Sequence, residues 1–488
     1  MNRAHYIGGT FLPHGDDTGP HGDDTGTRPL INPVDGTIRG KVPEAGRETV
    51  DAAVAAARTA LGGPWGSTSA EDRAAALRRI ADGIQARFDE FVEAESGDTG
   101  KPRELAATID IPRVIGNFRA YADLLYGRPE HAYATAIPGW STGTGQALNY
   151  TVRRPLGVVA VVSPWNLPLL LLTWKVAPAL AAGNTVVAKP SEETPSTATL
   201  LAEVIGQADL PPGVFNLVHG SGVGGAGEHL TTHHDVDAVA FTGASATGAA
   251  IMRGAADHIT PVSFELGGKN AALVFADADI EAALEGTLRS AFTHSGQVCL
   301  CTERVYVERP VFEEFVAALG ERARSLTGYG PMISAAHRDK VLSYYRLAAD
   351  EGAKVIAGGG VPHFEDARDQ GFYVEPTVLA GLPQSSRIVQ EEIFGPVCHV
   401  APFGTEDEAV RLANDSRYGL AATVWTTDLS RAHRVAPRIE AGVVWVNCWN
   451  LRDLRTPFGG IKNSGIGREG GAYSLDFFSE PVNVCIQI

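Results

Sequence analysis

The sequence predicts an α/β protein with buried parallel sheets, and two observations carry that prediction. Short valine-rich runs alternate along the chain with longer stretches of helical periodicity, which is the pattern of strands joined by helices. Two of the runs, 158–162 and 185–188, are rich in valine and lead into the polar turns 163–166 and 189–191. Parallel strands that are buried on both faces have this appearance, and functional groups collect at their carboxyl ends.

The same alternation assigns the remaining elements in order. An alanine-rich segment from 50 to 91 has apolar residues at helical spacing, and 111–125 continues the helical tendency. Both segments are predicted as helices that cover a sheet. Four further short apolar runs are predicted as strands: 214–218, 238–241, 271–275 and 305–307.

Two glycine-rich segments are predicted as loops. The segments 14–20 and 21–26 form a near-perfect tandem duplication of Gly, Asp and His, which predicts an exposed loop rather than a metal site, because glycines would hold such ligands loosely. The segment 457–470 is too glycine-dense for the interior of a helix or strand. It is predicted as an ordered loop that closely approaches another backbone or a ligand.

Composition limits the class of protein. The chain has 488 residues, 44% of them hydrophobic and 20% charged, enough for two or three soluble domains. The formal net charge of -16 disfavours a nucleic-acid or anionic-membrane partner. Five cysteines are few and odd in number, which favours a reducing cytoplasm over a disulfide framework. Neither a secretory signal nor a membrane span is predicted.

The central chemical prediction concerns a carboxylate and a thiol. Glu265 lies in Glu-Leu-Gly-Gly-Lys-Asn, and Cys299 ends Gly-Gln-Val-Cys. A general base and a thiol nucleophile are the parts needed for covalent catalysis on an aldehyde carbon through a thiohemiacetal. The alternatives are that Cys299 is a small core residue and that Glu265 binds backbone amides at a turn. Spacing alone does not choose between Cys299 and Cys301.

Asn166 is predicted to stabilise the negative charge that develops in such a reaction. It follows a predicted strand in Ser-Pro-Trp-Asn-Leu-Pro, where its amide can donate to the oxyanion. The Cys299 N–H is a candidate second donor. The alternative role of Asn166 is to stabilise the turn.

Cofactor contacts are predicted in two strand-end segments. Lys189, Ser191 and Glu192 lie in Lys-Pro-Ser-Glu, where Lys189 and Glu192 would hold the adenosine ribose. A carboxylate there repels a 2′-phosphate and so favours NAD over NADP. Gly243 and Ser245 follow a predicted strand and open a predicted helix, which suits a pyrophosphate at the helix N-terminus. The spacing is not G-x-G-x-x-G.

The nicotinamide end is predicted from a third segment, Glu-Glu-Ile-Phe-Gly-Pro. Glu392 would bind the nicotinamide ribose and Phe394 the ring, the alternative being a solvated pair of glutamates. Trp165 and Leu266 are predicted as further cofactor contacts. Glu469, in the glycine-rich loop, is a candidate proton relay, although a solvated carboxylate is the commoner case.

Taken in order, seven motifs give the chain a recognisable resemblance. Pro-Trp-Asn, Lys-Pro-Ser-Glu, Phe-Thr-Gly, Glu-Leu-Gly-Gly-Lys, Gly-Gln-x-Cys, Glu-Glu-Ile-Phe-Gly-Pro and Pro-Phe-Gly-Gly-x-Lys-x-Ser-Gly resemble the NAD(P)-dependent aldehyde dehydrogenase superfamily over nearly the whole chain. The resemblance implies functional roles at six positions: Asn166, Lys175, Glu265, Cys299, Glu392 and Glu469.

The same resemblance implies the domain organisation. A Rossmann-like NAD-binding domain is expected at 1–128 and 152–262, and an α/β catalytic domain at 263–463. A small β-bridge at 129–151 and 472–488 is expected to assemble homodimers or homotetramers.

A narrower resemblance concerns the substrate. The segments 110–113, 446–449 and 451–458 are similar to those of 2-hydroxymuconate and 2-aminomuconate semialdehyde dehydrogenases, whose arginines line the substrate entrance. The resemblance implies that Arg113 and Arg452 bind a substrate carboxylate, since a guanidinium can do so bidentately. A surface salt bridge is the alternative for each, and the favoured one for Arg455. Two departures are a shortened segment at 326–331 and Asn450 in place of a bulky apolar residue.

The predicted reaction is NAD-dependent oxidation of 2-hydroxymuconate 6-semialdehyde to 2-hydroxymuconate, without a metal. Glu265 would activate Cys299, and Glu265 or Glu469 would later activate water. The alternatives are 2-aminomuconate semialdehyde or another small aldehyde as substrate. A CoA-acylating acyl transferase and an inactive structural relative are the alternatives from other classes.

Overall fold

The computed structural model describes residues 3–12, 26–137 and 145–488. The loop predicted for the duplicated segment 14–26 lies outside the described residues except for Gly26. Two large sheets dominate the fold, and helices joining successive strands pack against them, so the predicted α/β class is confirmed.

The first sheet has eight strands, and its central five are parallel. The valine-rich runs that predicted buried strands form its centre, where β-branched side chains pack on both faces. The three outer strands pair antiparallel with their neighbours. In spatial order the strands are β2 (Thr10–Phe11), β1 (Tyr6–Ile7), β9 (Phe215–Leu217), β8 (Thr185–Lys189), β7 (Val158–Val162), β10 (Ala238–Thr242), β11 (Val262–Glu265) and β21 (Gly465–Ile466).

The second sheet has seven strands, all parallel except the first, which lies antiparallel at one edge. It begins directly after the Gly267–Gly268 turn. In spatial order its strands are β14 (Lys354–Ala357), β15 (Thr377–Ala380), β16 (Val397–Phe403), β13 (Thr302–Glu308), β12 (Asn270–Val274), β18 (Ala421–Trp425) and β19 (Val443–Val446).

Three smaller antiparallel sheets complete the strands. The three-stranded sheet lies mainly in the segments expected to form the β-bridge, and its role in assembly stays a prediction. The expected boundaries at 151 and 262 fall inside β6 and β11, because motif positions do not reveal where a strand ends. The strands are β22 (Ser479–Gln487), β6 (Gln146–Pro155) and β5 (Ala132–Ala136), then β3 (Thr27–Ile31) with β4 (Ile38–Pro43), and β17 (Tyr418–Gly419) with β20 (Ile461–Lys462).

The helices include those predicted between 50 and 91 and between 111 and 125. None of those in the described part of the chain has the length and apolarity needed to span a bilayer. They are α1 (Arg47–Gly62), α2 (Ala70–Ala86), α3 (Phe88–Thr99), α4 (Arg103–Leu105), α5 (Ile111–Gly127), α6 (Pro168–Ala181), α7 (Ser196–Gly206), α8 (Ala226–Thr231), α9 (Ser245–Ala256), α10 (Ile280–Phe292), α11 (Phe312–Ser325), α12 (Ala335–Asp350), α13 (Arg387–Gln390), α14 (Glu406–Asn414), α15 (Leu429–Val435) and α16 (Gly471–Phe477).

The glycine-rich segment 457–470 differs from the prediction of a loop, because it contains the short strands β20 and β21. Gly465 pairs with Glu265 and has φ +155°, and a Cβ on it would lie 2.4 Å from the Phe264 carbonyl oxygen. The predicted close backbone approach therefore takes the form of strand pairing. Glycine permits that pairing because it has no side chain to collide with β11.

Candidate active site

Cys299 lies in a turn that glycine makes possible. The preceding Gly296 has φ +74°, and a Cβ there would lie 2.0 Å from the Gly395 carbonyl oxygen, so a larger residue would displace the turn. Cys301 N–H donates to the Val298 carbonyl at 2.8 Å and closes the turn. The turn also rests on the shortened segment 326–331, since Ser295 Oγ donates to the Gly330 carbonyl at 2.6 Å.

Cys299 is the residue at which two cavities meet. The larger cavity, of about 710 Å³, contains Arg113 and Arg452 in its wall, and the smaller cavity, of about 220 Å³, contains Trp165 and Glu392. Cys299 lines both, whereas Cys301 lines neither. The structure thus favours Cys299 over Cys301 as the accessible thiol, a choice that residue spacing left open.

Glu265 ends β11 and lies beside Cys299. Its side chain is 1% exposed, no amide of the described residues donates to its carboxylate, and the Cys299 thiol is its hydrogen-bonding neighbour. Burial, followed by the nearby charge of Glu469, raises the pKa of Glu265 to about 7. Burial and Glu265 in turn hold the pKa of the Cys299 thiol well above its ordinary value. The carboxylate is therefore not bound to turn amides, and its pKa suits a general base near neutral pH.

Asn166 is fixed at the end of β7 by contacts on both its side chain and its main chain. Its Nδ2 donates to the Gln297 carbonyl at 2.9 Å, and its own carbonyl accepts from Lys101 Nζ at 3.2 Å. One N–H of the amide is thus engaged, which leaves the second for an oxyanion. Gln297 is two residues before Cys299 in the chain, so this bond holds the Asn166 amide near the thiol, where an oxyanion donor is needed.

Lys175 and Glu469 form a buried ion pair next to Glu265. Lys175 projects from α6, and its Nζ binds Glu469 Oε1. The Glu469 main chain pairs with Phe458, and its Oε2 has no partner among the described residues. Glu469 is 6% exposed. It is therefore not a solvated loop carboxylate, which the sequence had left as the commoner case.

The smaller cavity collects five of the predicted cofactor contacts: Trp165, Gly243, Leu266, Glu392 and Phe394. Burial, then the charge of Glu303, raises the pKa of Glu392 to about 7, and Glu392 Oε1 accepts from Gly268 N–H at 2.9 Å. Its neighbour Glu391 instead pairs with Arg387 at the surface. Glu391 therefore matches the alternative of a solvated glutamate, and Glu392 does not.

The other four predicted cofactor contacts lie outside the smaller cavity, at the ends of β8 and the start of α9. Lys189 Nζ donates to Glu192 Oε2 at 3.2 Å, and Ser191 Oγ accepts from the Glu193 N–H at 3.2 Å. Ser245 Oγ donates to the Asn463 carbonyl at 2.9 Å. Lys189 ends β8, Ser191 and Glu192 lie in the turn that follows, and Ser245 begins the helix after β10, so all four lie at the carboxyl ends of strands of the first sheet, as Gly243 does.

The larger cavity contains two arginines without anionic partners. The Arg113 side chain makes no hydrogen bond or ion pair within the described part of the chain. The Arg452 guanidinium lies 3.7 Å from the ring centroid of Phe458 and 4.9 Å from that of Trp174, and its Nη2 is buried without a partner. Burial, followed by repulsion from Arg113, lowers the pKa of Arg452 to about 10.

Their neighbours behave differently. Arg455 pairs with Asp453 at 2.6 Å on the surface, so the surface salt bridge favoured for it is present. Asn450 lines the larger cavity in the left-handed region, at φ +58°, a conformation that asparagine tolerates better than bulky apolar residues do.

Several functional neighbours were not predicted. Lys101 donates to the Asn166 carbonyl. Asp110 and His294 line the larger cavity, and His337 lines the smaller one. Burial lowers the pKa of His337 to about 4. Of these residues, only Asp110 could have been identified from the sequence, because it lies three residues before Arg113. The sequence around a lysine or histidine does not show whether that residue is buried.

The raised pKa of Glu265 makes the pH dependence predictable. Because the base must be deprotonated and its pKa is about 7, we expect kcat/KM for an aldehyde to rise with pH through about 7. A Glu265→Gln variant should lose that inflection. A Glu392→Gln variant, which removes another carboxyl with a pKa of about 7, should keep it when the cofactor is saturating. An inflection that survives in Glu265→Gln would assign it to another group.

Comparison with known proteins agrees with this arrangement. Residues 21–484 match the model of the aldehyde dehydrogenase family. The chain is 59% identical over 467 residues to a 2-aminomuconic 6-semialdehyde dehydrogenase from Pseudomonas sp, covering 94% of each chain. It is 57% identical over 493 residues to a 2-hydroxymuconic semialdehyde dehydrogenase from Pseudomonas sp. (strain CF600), covering 99% of each.

Solved structures give the same result. The NAD+ complex of an aldehyde dehydrogenase from Bacillus cereus superposes with a TM-score of 0.93 at 38% identity, covering 100% of this chain and 97% of that one. The paired Glu265 and Cys299, the cavities that meet at the thiol and these matches lead to one conclusion. The chain belongs to the aldehyde dehydrogenase family and is an enzyme of that class.

Proposed function

We propose that the protein oxidises 2-hydroxymuconate 6-semialdehyde to 2-hydroxymuconate with NAD. The observation that carries the proposal is the larger cavity, whose wall contains both the Cys299 thiol and two arginines without anionic partners among the described residues. A guanidinium pair in a cavity wall suits a carboxylate, and a thiol beside a general base suits an aldehyde. A substrate with an acid at one end and an aldehyde at the other satisfies both.

The first chemical step is formation of a bond between sulfur and carbon. Glu265 accepts the proton of the Cys299 thiol, and the thiolate adds to the aldehyde carbon. The second N–H of Asn166 and the Cys299 N–H donate to the resulting oxyanion, a stabilisation of about 3 kcal/mol per donor in other enzymes. The product is a thiohemiacetal on Cys299, and NAD, when bound in the smaller cavity, supplies the acceptor for its hydride.

The second step is hydrolysis of the acyl group on Cys299. A carboxylate near the sulfur removes a proton from water, water oxygen attacks the thioester carbon, and the thiol leaves as its proton returns. Glu265 serves in both steps because its free carboxylate oxygens lie beside Cys299. The Lys175–Glu469 ion pair offers a route by which the proton on Glu265 leaves for solvent.

The residues of the cofactor region fit a dinucleotide. Glu192 and Glu392 offer carboxylates for the two riboses, and Trp165, Leu266 and Phe394 offer apolar contacts. The Thr242 hydroxyl lines the smaller cavity and is buried without a partner among the described residues. A polar ligand in this cavity would satisfy that group.

Glu192 gives a test of the preference for NAD. Arg28 lies 3.7 Å from Glu192 and 3.3 Å from Glu193. Removing the Glu192 carboxylate should relieve repulsion of a 2′-phosphate and free Arg28 to bind it. We expect Glu192→Ser to raise the ratio of kcat/KM for NADP over NAD by about tenfold or more, about 1.4 kcal/mol.

Glu193→Ser is the matched control for this change, because it also releases Arg28. It removes a carboxylate that we do not assign to the ribose. An equal shift in both variants would mean that Arg28 alone, and not the Glu192 carboxylate, sets the preference.

Domain roles and assembly belong to the same proposal. Segments 1–128 and 152–262 would bind NAD, 263–463 would carry catalysis, and 129–151 with 472–488 would join subunits into a homodimer or homotetramer in the cytoplasm. Exposed apolar residues on the three-stranded sheet, such as Tyr133 at 61% and Ile486 at 44% exposure, support a covered surface there.

The test compares aldehydes in the wild-type protein without CoA. We expect NADH and free acid to form from 2-hydroxymuconate semialdehyde with a much higher kcat/KM than from an uncharged aldehyde of equal length. Equal rates would contradict a carboxylate site, and a requirement for CoA would favour an acyl transferase. The second candidate substrate, 2-aminomuconate semialdehyde, is supported by the 59% identical relative.

A further inference from the structure

The larger cavity has a second polar region, formed by Asp110 and His294. Both side chains are buried, at 0% and 5% exposure, and both line the cavity that contains Cys299. Asp110 Oδ1 has no hydrogen-bond partner among the described residues, and the Asn166 main chain is the one polar group that the His294 imidazole approaches there. Buried polar groups are normally satisfied, so these groups point to a polar ligand.

Asp110 is held rigidly by one of its two oxygens. Its Oδ2 accepts from Lys101 Nζ at 2.6 Å, and Lys101 also binds Glu95 Oε1 at 3.3 Å. Because Lys101 is a fixed, buried cation, the carboxylate cannot rotate away to satisfy Oδ1 elsewhere. One oxygen is thus part of the fold, and the other remains available within the cavity wall.

The position of Asp110 relative to Arg113 is set by the helix. Asp110 ends the π-helical turn Ala106–Asp110, and Arg113 follows three residues later in α5. Residues three apart lie on the same helix face, about 5–6 Å between their Cβ atoms. If Arg113 binds the carboxylate of a substrate, a substituent on the neighbouring carbon atom of that substrate therefore lies near Asp110.

His294 supplies a neutral donor and acceptor. Burial, followed by the charge of Lys101, holds the imidazole pKa well below its ordinary value, with the Asn166 main chain opposing the shift. A neutral imidazole carries one N–H donor and one acceptor nitrogen. The residue sits in the left-handed region at φ +49° directly before the Cys299 turn, so its ring position is coupled to that turn.

We propose that Asp110 and His294 form a subsite for the substituent on carbon 2 of the substrate, a hydroxyl or amino group. This inference rests on the proposed function, because it requires the acid end at Arg113 and Arg452. Carbon 2 is bonded to that carboxylate carbon, so its substituent lies beside Arg113 and within reach of Asp110. A donor on carbon 2 satisfies Oδ1, whereas an unsubstituted substrate leaves that oxygen without a partner.

The test measures a ratio of substrates in variants. We compare kcat/KM for 2-hydroxymuconate semialdehyde, and in a second arm 2-aminomuconate semialdehyde, with that for the same semialdehyde lacking the substituent. In Asp110→Asn we expect the ratio to fall by about 10- to 100-fold, as expected for a lost bond to a charged group. The ratio for 2-aminomuconate semialdehyde should fall more, because the amide N–H that Asp110→Asn introduces and the substrate amino group would both be hydrogen-bond donors facing each other.

His294→Asn removes the imidazole and keeps a residue that tolerates the left-handed region. We expect it to lower the same ratio by about 3- to 10-fold, as for a neutral hydrogen bond. A loss confined to one of the two variants would overturn the two-residue subsite. Turnover of the unsubstituted semialdehyde reports in each case that the protein has folded.

Glu95→Gln is the matched control, because Glu95 shares Lys101 with Asp110 but does not line the cavity. If Asp110 acts only by stabilising Lys101, Glu95→Gln will reproduce the change in ratio, and the subsite is wrong. Equal losses for substituted and unsubstituted semialdehydes in Asp110→Asn would also overturn it. Failure of the proposed function looks different, since the wild type would then not distinguish any of these acids from an uncharged aldehyde.

Discussion

Replacing Cys299 with alanine should abolish aldehyde oxidation, lowering kcat by about 10⁴-fold or more, as loss of a covalent nucleophile does in other enzymes. The physical reason is that, in the described part of the chain, no thiol but that of Cys299 lines the two cavities. Without sulfur at that point, neither the thiohemiacetal nor the thioester can form. The measurement is NADH formation with 2-hydroxymuconate semialdehyde, together with NAD binding to show that the cofactor region remains intact.

Cys301→Ala is the matched control for that substitution. Cys301 is buried two positions away, and burial raises the pKa of its thiol to about 12. Because it lines neither cavity, its loss should change kcat/KM by less than about threefold, the scale of a small core substitution. Substantial activity in Cys299→Ala, or its loss in Cys301→Ala, would reverse the assignment of the nucleophile.

Removing both cavity arginines should have the second-largest effect. In an Arg113→Met, Arg452→Met double variant we expect kcat/KM for 2-hydroxymuconate semialdehyde to fall by about 10²- to 10⁴-fold, at about 1.5–3 kcal/mol for each charged contact. The Arg452 guanidinium remains protonated at neutral pH, because burial lowers its pKa only to about 10. Both cations are therefore available to bind a substrate carboxylate in the larger cavity.

The effect should depend on the substrate's charge. An uncharged aldehyde of equal length should lose much less, because it has no carboxylate to bind. Arg455→Met is the matched control, since Arg455 lies three residues beyond Arg452 but pairs with Asp453 outside the cavity. Equal losses for charged and uncharged aldehydes would mean that the arginines stabilise the cavity rather than recognise the acid.

Much of the fold follows from the sequence because its elements are locally encoded. Continuous valine runs such as 158–162 have few alternatives to a buried strand, and the alanine-rich segment 50–91 has a clear helical period. The pairing of β21 with β11 was missed, because a two-residue strand has no periodicity. Only its pairing with β11, Gly465 with Glu265 and Ile466 with Phe264, makes it a strand.

The site was predictable to the extent that motifs carry its chemistry. Motif by motif, residue types predicted Glu265, Cys299 and Asn166 as parts of one reaction while leaving structural alternatives open, and the family resemblance favoured that prediction. They could not show that Glu265 has no amide partners or that Asn166 already donates to Gln297. Those facts depend on long-range packing, as does the burial of Lys101 between Glu95 and Asp110.

The backbone pairings of the glycine-rich segment make it a spacer of fixed length. Gly465 pairs with Glu265, and further along Glu469 pairs with Phe458, so the segment is anchored at the two carboxylates that we propose to handle protons. Side chains alternate along paired backbone, so inserting or deleting one residue between these anchors would turn Glu469 away from Lys175. The length of this segment is therefore constrained, in contrast to ordinary surface loops, where insertions are readily absorbed.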